Sequence, residues 1–310
     1  MSKIEANSLK KVFGTLTAVA DVSLKVNAGE VVALLGPYGA GKTTTIRMLA
    51  SILKPTSGRV LIDGMDVIDQ AVEVRRRIGL LTEHHGLYTR MHQVDYLEFF
   101  SQVYDMKAEP ALARIHELLE RFGLGQAYDR RLGQFSKGMR QKLALVRTLL
   151  HDPPILLLDE PTSAMDPSSA HLVRNSIRAL RSSERAIIVC THNLAEAEQL
   201  ADRIAIISQG RIIAQGSAEE LKHQILGIPL VEVRTVDVLD GELSALPAEI
   251  KVVDQGRDWF RYASSDSPEL NHLVLKTLLG AGVKVTGLNE VPRSLEEVYL
   301  RVIELEGGEI

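Results

Sequence analysis

Apolar residues along this chain follow two periods, and the switches between them mark its elements. Val22, Leu24 and Val26 alternate with polar neighbours, the two-residue repeat of a half-buried strand. Asn27-Ala28-Gly29 then turns the chain into an unbroken apolar run, Val31–Leu35. Ile46, Leu49, Ala50 and Leu53 come next at helical spacing, which predicts a helix over 44–53 that stops near Lys54-Pro55. Further strands are predicted at 59–62, entering a turn at Asp63-Gly64, and at Ile78–Leu81. Between them Arg75, Arg76 and Arg77 read as a solvated helix face.

From about 84 to 150 strand signals vanish and helical spacing takes over. Val94, Leu97, Phe100 and Val103 predict one helix; Leu112, Ile115, Leu118, Leu119 and Phe122 predict another, ended by Gly123. Strands return at Ile155–Asp159, 186–190 and 204–208, separated by helical stretches, the alternation of a parallel sheet covered on both faces. A hairpin around Gln209-Gly210 and a helix opened by Ser217 with Glu220 close this part. After Gly227-Ile228-Pro229 strands at Leu230–Thr235, 250–253, 259–263 and 283–288 alternate with helices at about 239–246 and 268–280, and a last helix follows Ser294. The predicted fold is α/β: a P-loop (RecA-like) core with an N-terminal antiparallel β layer and a helical insertion at about 84–150, together forming 1–226. A small α+β domain of βαββαβ type follows at 227–310.

The link between the first apolar strand and the first helix is Gly36-Pro37-Tyr38-Gly39-Ala40-Gly41-Lys42-Thr43, which fits G-x-x-x-x-G-K-[ST]. Glycines at 36, 39 and 41 let the backbone turn tightly, so that successive amides point at a phosphate from a helix N-terminus whose dipole already favours anions. In this pattern Lys42 reaches the β/γ-phosphates and the Thr43 hydroxyl holds Mg²⁺. By itself the loop suits a kinase, a GTPase or a motor equally.

Composition narrows the classes. The 310 residues carry 36 Lys and Arg against 40 Asp and Glu, a net charge of −4 that offers no bulk basic field for nucleic acid. The one cysteine, Cys190, lies in an apolar run, which excludes intrachain disulfides and points to a reducing cytosol. The start Met1-Ser2-Lys3-Ile4-Glu5 turns polar at once, unlike a signal peptide, and the apolar runs are too short to span a bilayer. Any membrane role is therefore expected through a partner.

A second chemical element lies at Ile155-Leu156-Leu157-Leu158-Asp159-Glu160. Four apolar residues ending in two acids describe a buried parallel strand presenting carboxylates at its C-terminal tip, where open α/β sheets bind ligands. Asp159 suits a Mg²⁺ shell and Glu160 suits the positioning of a water beside a γ-phosphate. Ser136 is placed to cap a helix running from Lys137 to about 150, with Met139, Leu143, Val146 and Leu150 on its apolar face. His84 and His85, without acid or cysteine ligands nearby, read as loop residues.

In order and context these residues resemble the nucleotide-binding subunits of ATP-binding cassette (ABC) transporters, over roughly 3–220. The resemblance implies that Phe13 stacks on adenine and that Gly36, Gly39, Ala40, Gly41, Lys42, Thr43 and Thr44 hold the phosphates of ATP. Thr43, Asp159 and Glu83 would share Mg²⁺, with Glu160, His192 and Lys42 catalytic. Phe135-Ser136-Lys137-Gly138-Met139 resembles the family's signature segment, in which Ser136 and Gly138 would reach across a head-to-tail dimer to the partner's ATP. Ser163-Ala164-Met165-Asp166 resembles its D-loop. Four positions depart from the common pattern: Glu83 stands for glutamine, Lys137 and Met139 for glycine and glutamine, and Tyr38 for a small polar residue, its side chain expected to point away from the phosphates.

The C-terminal segment, ending Pro292-Arg293-Ser294-Leu295-Glu296-Glu297-Val298-Tyr299-Leu300, resembles the extension of a sodium- or multidrug-export subgroup. The resulting expectation is an ATPase subunit, a homodimer or a heterodimer with a second ATP-binding subunit, peripheral on the inner membrane face through a transmembrane permease, with no nucleic acid bound. The permease contact is expected at 86–91, through Leu87 and Tyr88. Soluble cassette ATPases of translation or DNA repair, and a low-turnover regulatory subunit, are the alternatives; the single cassette and the presence of Glu160 and His192 weigh against them.

Overall fold

The computed structural model describes residues 2–82, 86–127, 130–163, 165–239, 243, 246–264 and 268–307. The chain divides into two compact units, Met1–Ala218 and Glu219–Ile310.

The first unit is built on one ten-stranded sheet. β1 (Ser2–Phe13), β2 (Leu16–Asn27), β4 (Ser57–Ile62) and β5 (Met65–Asp66) form its antiparallel wing, with β4 and β5 joined through Asp63 and Gly64, both at positive φ. β3 (Val31–Leu35), β6 (Ile78–Leu81), β7 (Ile155–Asp159), β8 (Ala186–Thr191) and β9 (Arg203–Ser208) run parallel in the order β9-β3-β8-β7-β6. β10 (Arg211–Gly216) returns antiparallel to β9 and meets β2.

The unbroken apolar runs of β3, β7 and β8 follow from burial on both faces. Leu34, Leu157, Ile188 and Cys190 point into one core, shared with the wing, with α1 (Lys42–Leu49) and with α2 (Ala71–Arg76). Val31, Leu156, Leu158, Ile187 and Val189 point into the other, shared with α3 (Gln93–Val103), α4 (Ala108–Arg121), α5 (Lys137–Leu149) and α6 (Pro167–Ala179). The helical insertion thus shares its core with the sheet.

Two expectations change. The first helix starts at Lys42 and ends at Leu49, short of 53, because Ser51 turns left-handed (φ 56°) and the amides of Ile52 and Leu53 both fold back onto the Arg47 carbonyl. α3 buries Gln93, Tyr96, Leu97 and Ser101, whereas Val103 is exposed; on α4 Leu112 is exposed and Ala111, Ile115, Leu118 and Leu119 face inward. Polar side chains occupy the inner face of α3 through long-range bonds: Gln93 Nε2 donates to the Leu124 carbonyl at 3.1 Å, and Arg147 donates to the Tyr96 hydroxyl at 2.7 Å.

The second unit opens with α8 (Ala218–Leu226) and carries a four-stranded antiparallel sheet in the order β12-β13-β11-β14. These strands are β11 (Leu230–Thr235), β12 (Val252–Gln255), β13 (Trp259–Ala263) and β14 (Val285–Glu290). Val231, Val233, Phe260 and Tyr262 form one buried face with Val274 and Leu278 of α9 (Pro268–Gly280), and α10 (Leu295–Gly307) ends the described chain. The helix expected over 239–246 lies largely outside the described residues.

Candidate active site

Strand register assembles the site. Leu34 pairs with Cys190 and Cys190 with Asp159, so the C-terminal tips of β3, β8 and β7 lie in one row. With neighbouring strands about 4.8 Å apart, the loop after Leu35, His192 after Thr191 and Glu160 after Asp159 emerge at one edge, within about 10 Å of each other.

The loop after β3 has room only for glycine at its tightest points. A Cβ on Gly36 would lie 2.2 Å from the Ile207 carbonyl oxygen, and one on Gly41, at φ +102°, 2.6 Å from that of Ala18. Gly41 also begins α1 with no side chain capping its first turn, so those amides are available to a ligand. They open on a cavity of about 340 Å³. Its walls are the loop over 37–44, Asp159 and Glu160, together with Phe13 and residues 16–18. Phe13 is half exposed and carries the Lys11 ammonium 5.0 Å from its ring centroid.

Lys42 is buried and donates to the carbonyls of Gly36 (2.6 Å) and Pro37 (3.0 Å), with its Nζ 4.0 Å from Glu160 Oε1. Thr43 Oγ1 donates to Asp159 Oδ2 at 2.8 Å. Glu160 has a left-handed backbone (φ 50°), unusual for a residue with a long side chain, and its amide donates to the Cys190 carbonyl at 2.9 Å. This turn sends the Glu160 carboxylate to His192, whose Nδ1 lies 2.8 Å from Oε1. Behind the pair Cys190 is wholly buried, and burial pushes its thiol well up, which keeps it neutral and inert.

A second layer holds the two loops together. Glu196, on α7 (Leu194–Leu200), is 2% exposed and accepts from Thr162 Oγ1 at 2.7 Å. Its own amide is capped by Asn193 Oδ1 at 3.1 Å, and the Asn193 amide donates to Thr191 Oγ1 at 3.0 Å. Burial raises the Glu196 carboxyl above its ordinary range, opposed by hydrogen bonds from Thr162 and Thr191.

A family model described as ABC transporter matches residues 19–163. The daunorubicin resistance ATP-binding protein DrrA3 of Streptomyces coeruleorubidus is 36% identical over 300 residues, covering 96% of this chain and 95% of that protein. The chain belongs to the ATP-binding subunits of ABC transporters. The Nod factor export ATP-binding protein I of Burkholderia lata is 34% identical over 304 residues, covering 97% of each. Among solved structures, the dimeric post-hydrolysis state of the ATP-binding cassette MJ0796, bound to ADP and Pi, has a TM-score of 0.64 at 25% identity, covering 69% of this chain and 98% of that one. This ABC subunit is accordingly an ATPase, and ATP is what it binds.

Around one cavity the ABC subunit brings together Phe13, Gly39, Ala40, Gly41, Lys42, Thr43, Thr44, Asp159 and Glu160. Gly36 lies beneath, its amide on the Thr191 carbonyl, and His192 joins through Glu160. Ser136 and Gly138 lie apart from this cavity, at the N-terminus of α5, where Ser136 Oγ accepts from the Met139 amide at 3.2 Å. Glu83, His84 and His85 lie outside the described residues. Tyr38 does not point away as expected. It lines the cavity with its ring 4.8 Å from that of His192 and 5.8 Å from Lys42 Nζ, an aromatic contact and a cation–π contact that a ring standing free in water would forgo.

Sequence reasoning missed Glu196 and Gln141, whose Nε2 donates to the carbonyls of Glu160 and Pro161, each at 3.1 Å. The signal for Gln141 was present: it falls in register with Ala144, Leu145 and Thr148, a second buried stripe on α5 beside the apolar one.

Proposed function

We propose that this subunit closes head to tail with a second ATP-binding subunit, identical or related, around Mg-ATP, and that closure and reopening drive a separate transmembrane permease in export. The observation that carries this reading is the buried Glu160 carboxylate, 2.8 Å from His192 and 4.0 Å from Lys42, at the wall of a glycine cradle. Such a carboxylate is suited to orient a water toward a γ-phosphate, and His192, 41% exposed at its side chain, is proposed to contact that phosphate. Lys42 and the amides of the first turn of α1 would hold the phosphates, and Phe13 would stack on the base.

The donor set fits Mg²⁺. Thr43 and Asp159 present a hydroxyl and a carboxylate 2.8 Å apart beside the cradle, hard oxygen ligands of the kind this ion takes alongside phosphate and water. Bound there, the ion would neutralise charge on the phosphates; Glu83 is proposed as a further ligand. Ser136 and Gly138, exposed to approach and removed from this cavity, are proposed to engage nucleotide held by the other subunit, and the dimeric state of the MJ0796 cassette supports that arrangement.

Export rests on the relatives, whose names specify daunorubicin resistance and Nod factor export. No helix among the described residues is long and apolar enough to cross a membrane. The segment at 86–91 is the proposed contact with it, Tyr88 being half exposed and stacked edge-on against Tyr96 and Phe99. The unit over 219–310 is proposed as an accessory or regulatory domain.

The test is turnover by the purified subunit and its Glu160→Gln variant. Loss of a positioned base predicts a fall of about 10²–10⁴-fold with ATP binding intact, and an ATP-trapped dimer on size exclusion. Equal turnover in the two would remove Glu160 from the chemistry.

A further inference from the structure

The strained turn that carries Glu160 is held from outside its own strand. Its left-handed backbone (φ 50°) is strained for a non-glycine residue and persists only where neighbours over-determine it. Two restraints are local to the strand tips: the Glu160 amide on the Cys190 carbonyl, and the Ser163 amide on the Glu160 carbonyl at 3.2 Å. The third comes from α5. Gln141, 3% exposed, reaches from that helix and donates one amide nitrogen to the carbonyls of both Glu160 and Pro161.

α5 is built to transmit a displacement to this point. Its N-terminal end is exposed at Ser136, and around Gly138 the space a Cβ would fill is open, so a ligand has access. Gln141 follows Ser136 by less than two turns, about 7.5 Å along a rigid axis. Further along, Thr148 Oγ1 donates to the Leu80 carbonyl of β6 at 3.1 Å, which fixes the far end of the helix to the sheet. A tilt of α5 about Thr148 therefore moves Gln141, and Gln141 moves the two carbonyls that define the Glu160 turn. Gln141 does not itself line the phosphate cavity and reaches it only through the Glu160 turn.

We propose that Gln141 is a positioning residue that couples the N-terminus of α5 to the catalytic turn, so that nucleotide engaged there from a second subunit sets the orientation of this subunit's own Glu160. The inference rests on the head-to-tail reading above. It adds the route by which one composite site informs the other: the α5 N-terminus, then Gln141, then the Glu160 turn.

The experiment measures ATP turnover against ATP concentration for the full-length chain and two variants of similar length. Gln141→Met keeps the side-chain volume and removes the donor, while Gln141→Lys restores a donor. Wild type is expected to turn over cooperatively, with a Hill coefficient above 1. Gln141→Met should lose at least about tenfold in kcat, with half-saturation changed by less than about threefold, and its Hill coefficient should fall to 1. Gln141→Lys should recover both quantities in part. A simple packing defect would lower kcat without touching cooperativity. Unchanged cooperativity in Gln141→Met, with or without loss of kcat, overturns the proposal, as does non-cooperative turnover in wild type. Should Gln141→Met not fold by circular dichroism, Gln141→Lys decides: retained cooperativity supports the coupling and its loss overturns it. Dimer trapping by Glu160→Gln is scored separately. Its failure counts against the head-to-tail reading itself.

Discussion

The contact between Tyr38 and His192 sets the imidazole against a ring that most loops of this type would lack. The geometry, 4.8 Å between centroids at 38°, falls within the range in which aromatic pairs contribute about 0.5–1.5 kcal/mol. Tyr38 is nonetheless 72% exposed, so solvent competes for much of that gain. If the ring steadies His192 beside Glu160, Tyr38→Ser should lower kcat by about two- to tenfold, since 1.4 kcal/mol is a factor of ten in rate. Tyr38→Phe, which keeps the ring, should retain most of the turnover. A serine variant with wild-type kcat would show the contact to be incidental. Glu196 offers a second test at this scale. Burial favours its protonated form, so the native state binds protons more tightly than the unfolded chain does. Its contribution to stability is therefore greatest below the ordinary carboxyl value of 4.5 and is lost as pH rises through the higher native value. Glu196→Gln keeps an acceptor for Thr162 and removes the titration. Denaturation midpoints for this variant should lack that loss with rising pH, and a profile parallel to wild type would contradict the shift.

Among the elements, what was legible in the sequence was what local chemistry dictates. The cradle could be read because strand, glycine turn and helix are contiguous, and the strand ending in Asp159 and Glu160 because burial on both faces leaves an unbroken apolar run. The buried stripe on α5 could have shown Gln141 but not its partners Glu160 and Pro161, and Glu196 escaped because Thr162 lies far along the chain and only the packing of α7 brings it near. The inner face of α3 was misread for the same reason: Gln93 and Tyr96 are buried by hydrogen bonds to Leu124 and Arg147 that spacing cannot foresee. The end of α3 makes one more long-range contact. Tyr104, which follows it, stacks on His151 with ring centroids 3.7 Å apart and planes within 8°, so the insertion meets the approach to β7. Burial drives His151 from 6.5 to about 4, opposed by the backbone at Ile78 and the charge of Asp152. The unfolded chain takes up this proton first as pH falls, so stability should be full above pH 6.5 and decline toward pH 4, by on the order of 3 kcal/mol for a shift of this size. His151→Phe keeps a ring for Tyr104 and removes the proton site. Its urea midpoints should vary less over that interval, and a loss equal to that of wild type would place the acid sensitivity elsewhere.

At the level of the whole molecule, the two compact units divide the chemistry from the extension. Every residue assigned to the nucleotide lies in the first unit, whereas the single tryptophan, Trp259, lies in the second. There it is on β13, with the Arg261 guanidinium 4.7 Å from its ring, so its emission reports on the small sheet. Ligand that binds only the native first unit should stabilise that unit by about 2.7 kcal/mol at a hundredfold excess over Kd. If the units unfold independently, urea denaturation followed by Trp259 fluorescence and by far-ultraviolet circular dichroism should give transitions that do not coincide. ATP with Mg²⁺ should then move the dichroism transition, dominated by the larger unit, and leave that of Trp259 in place. An equal shift of both would mean that occupancy of the cradle is felt in the small sheet. The accessory unit would in that case be energetically linked to the ATP site, and Arg261→Ala, chosen for its place beside Trp259, would be the first variant in which to look for altered nucleotide affinity.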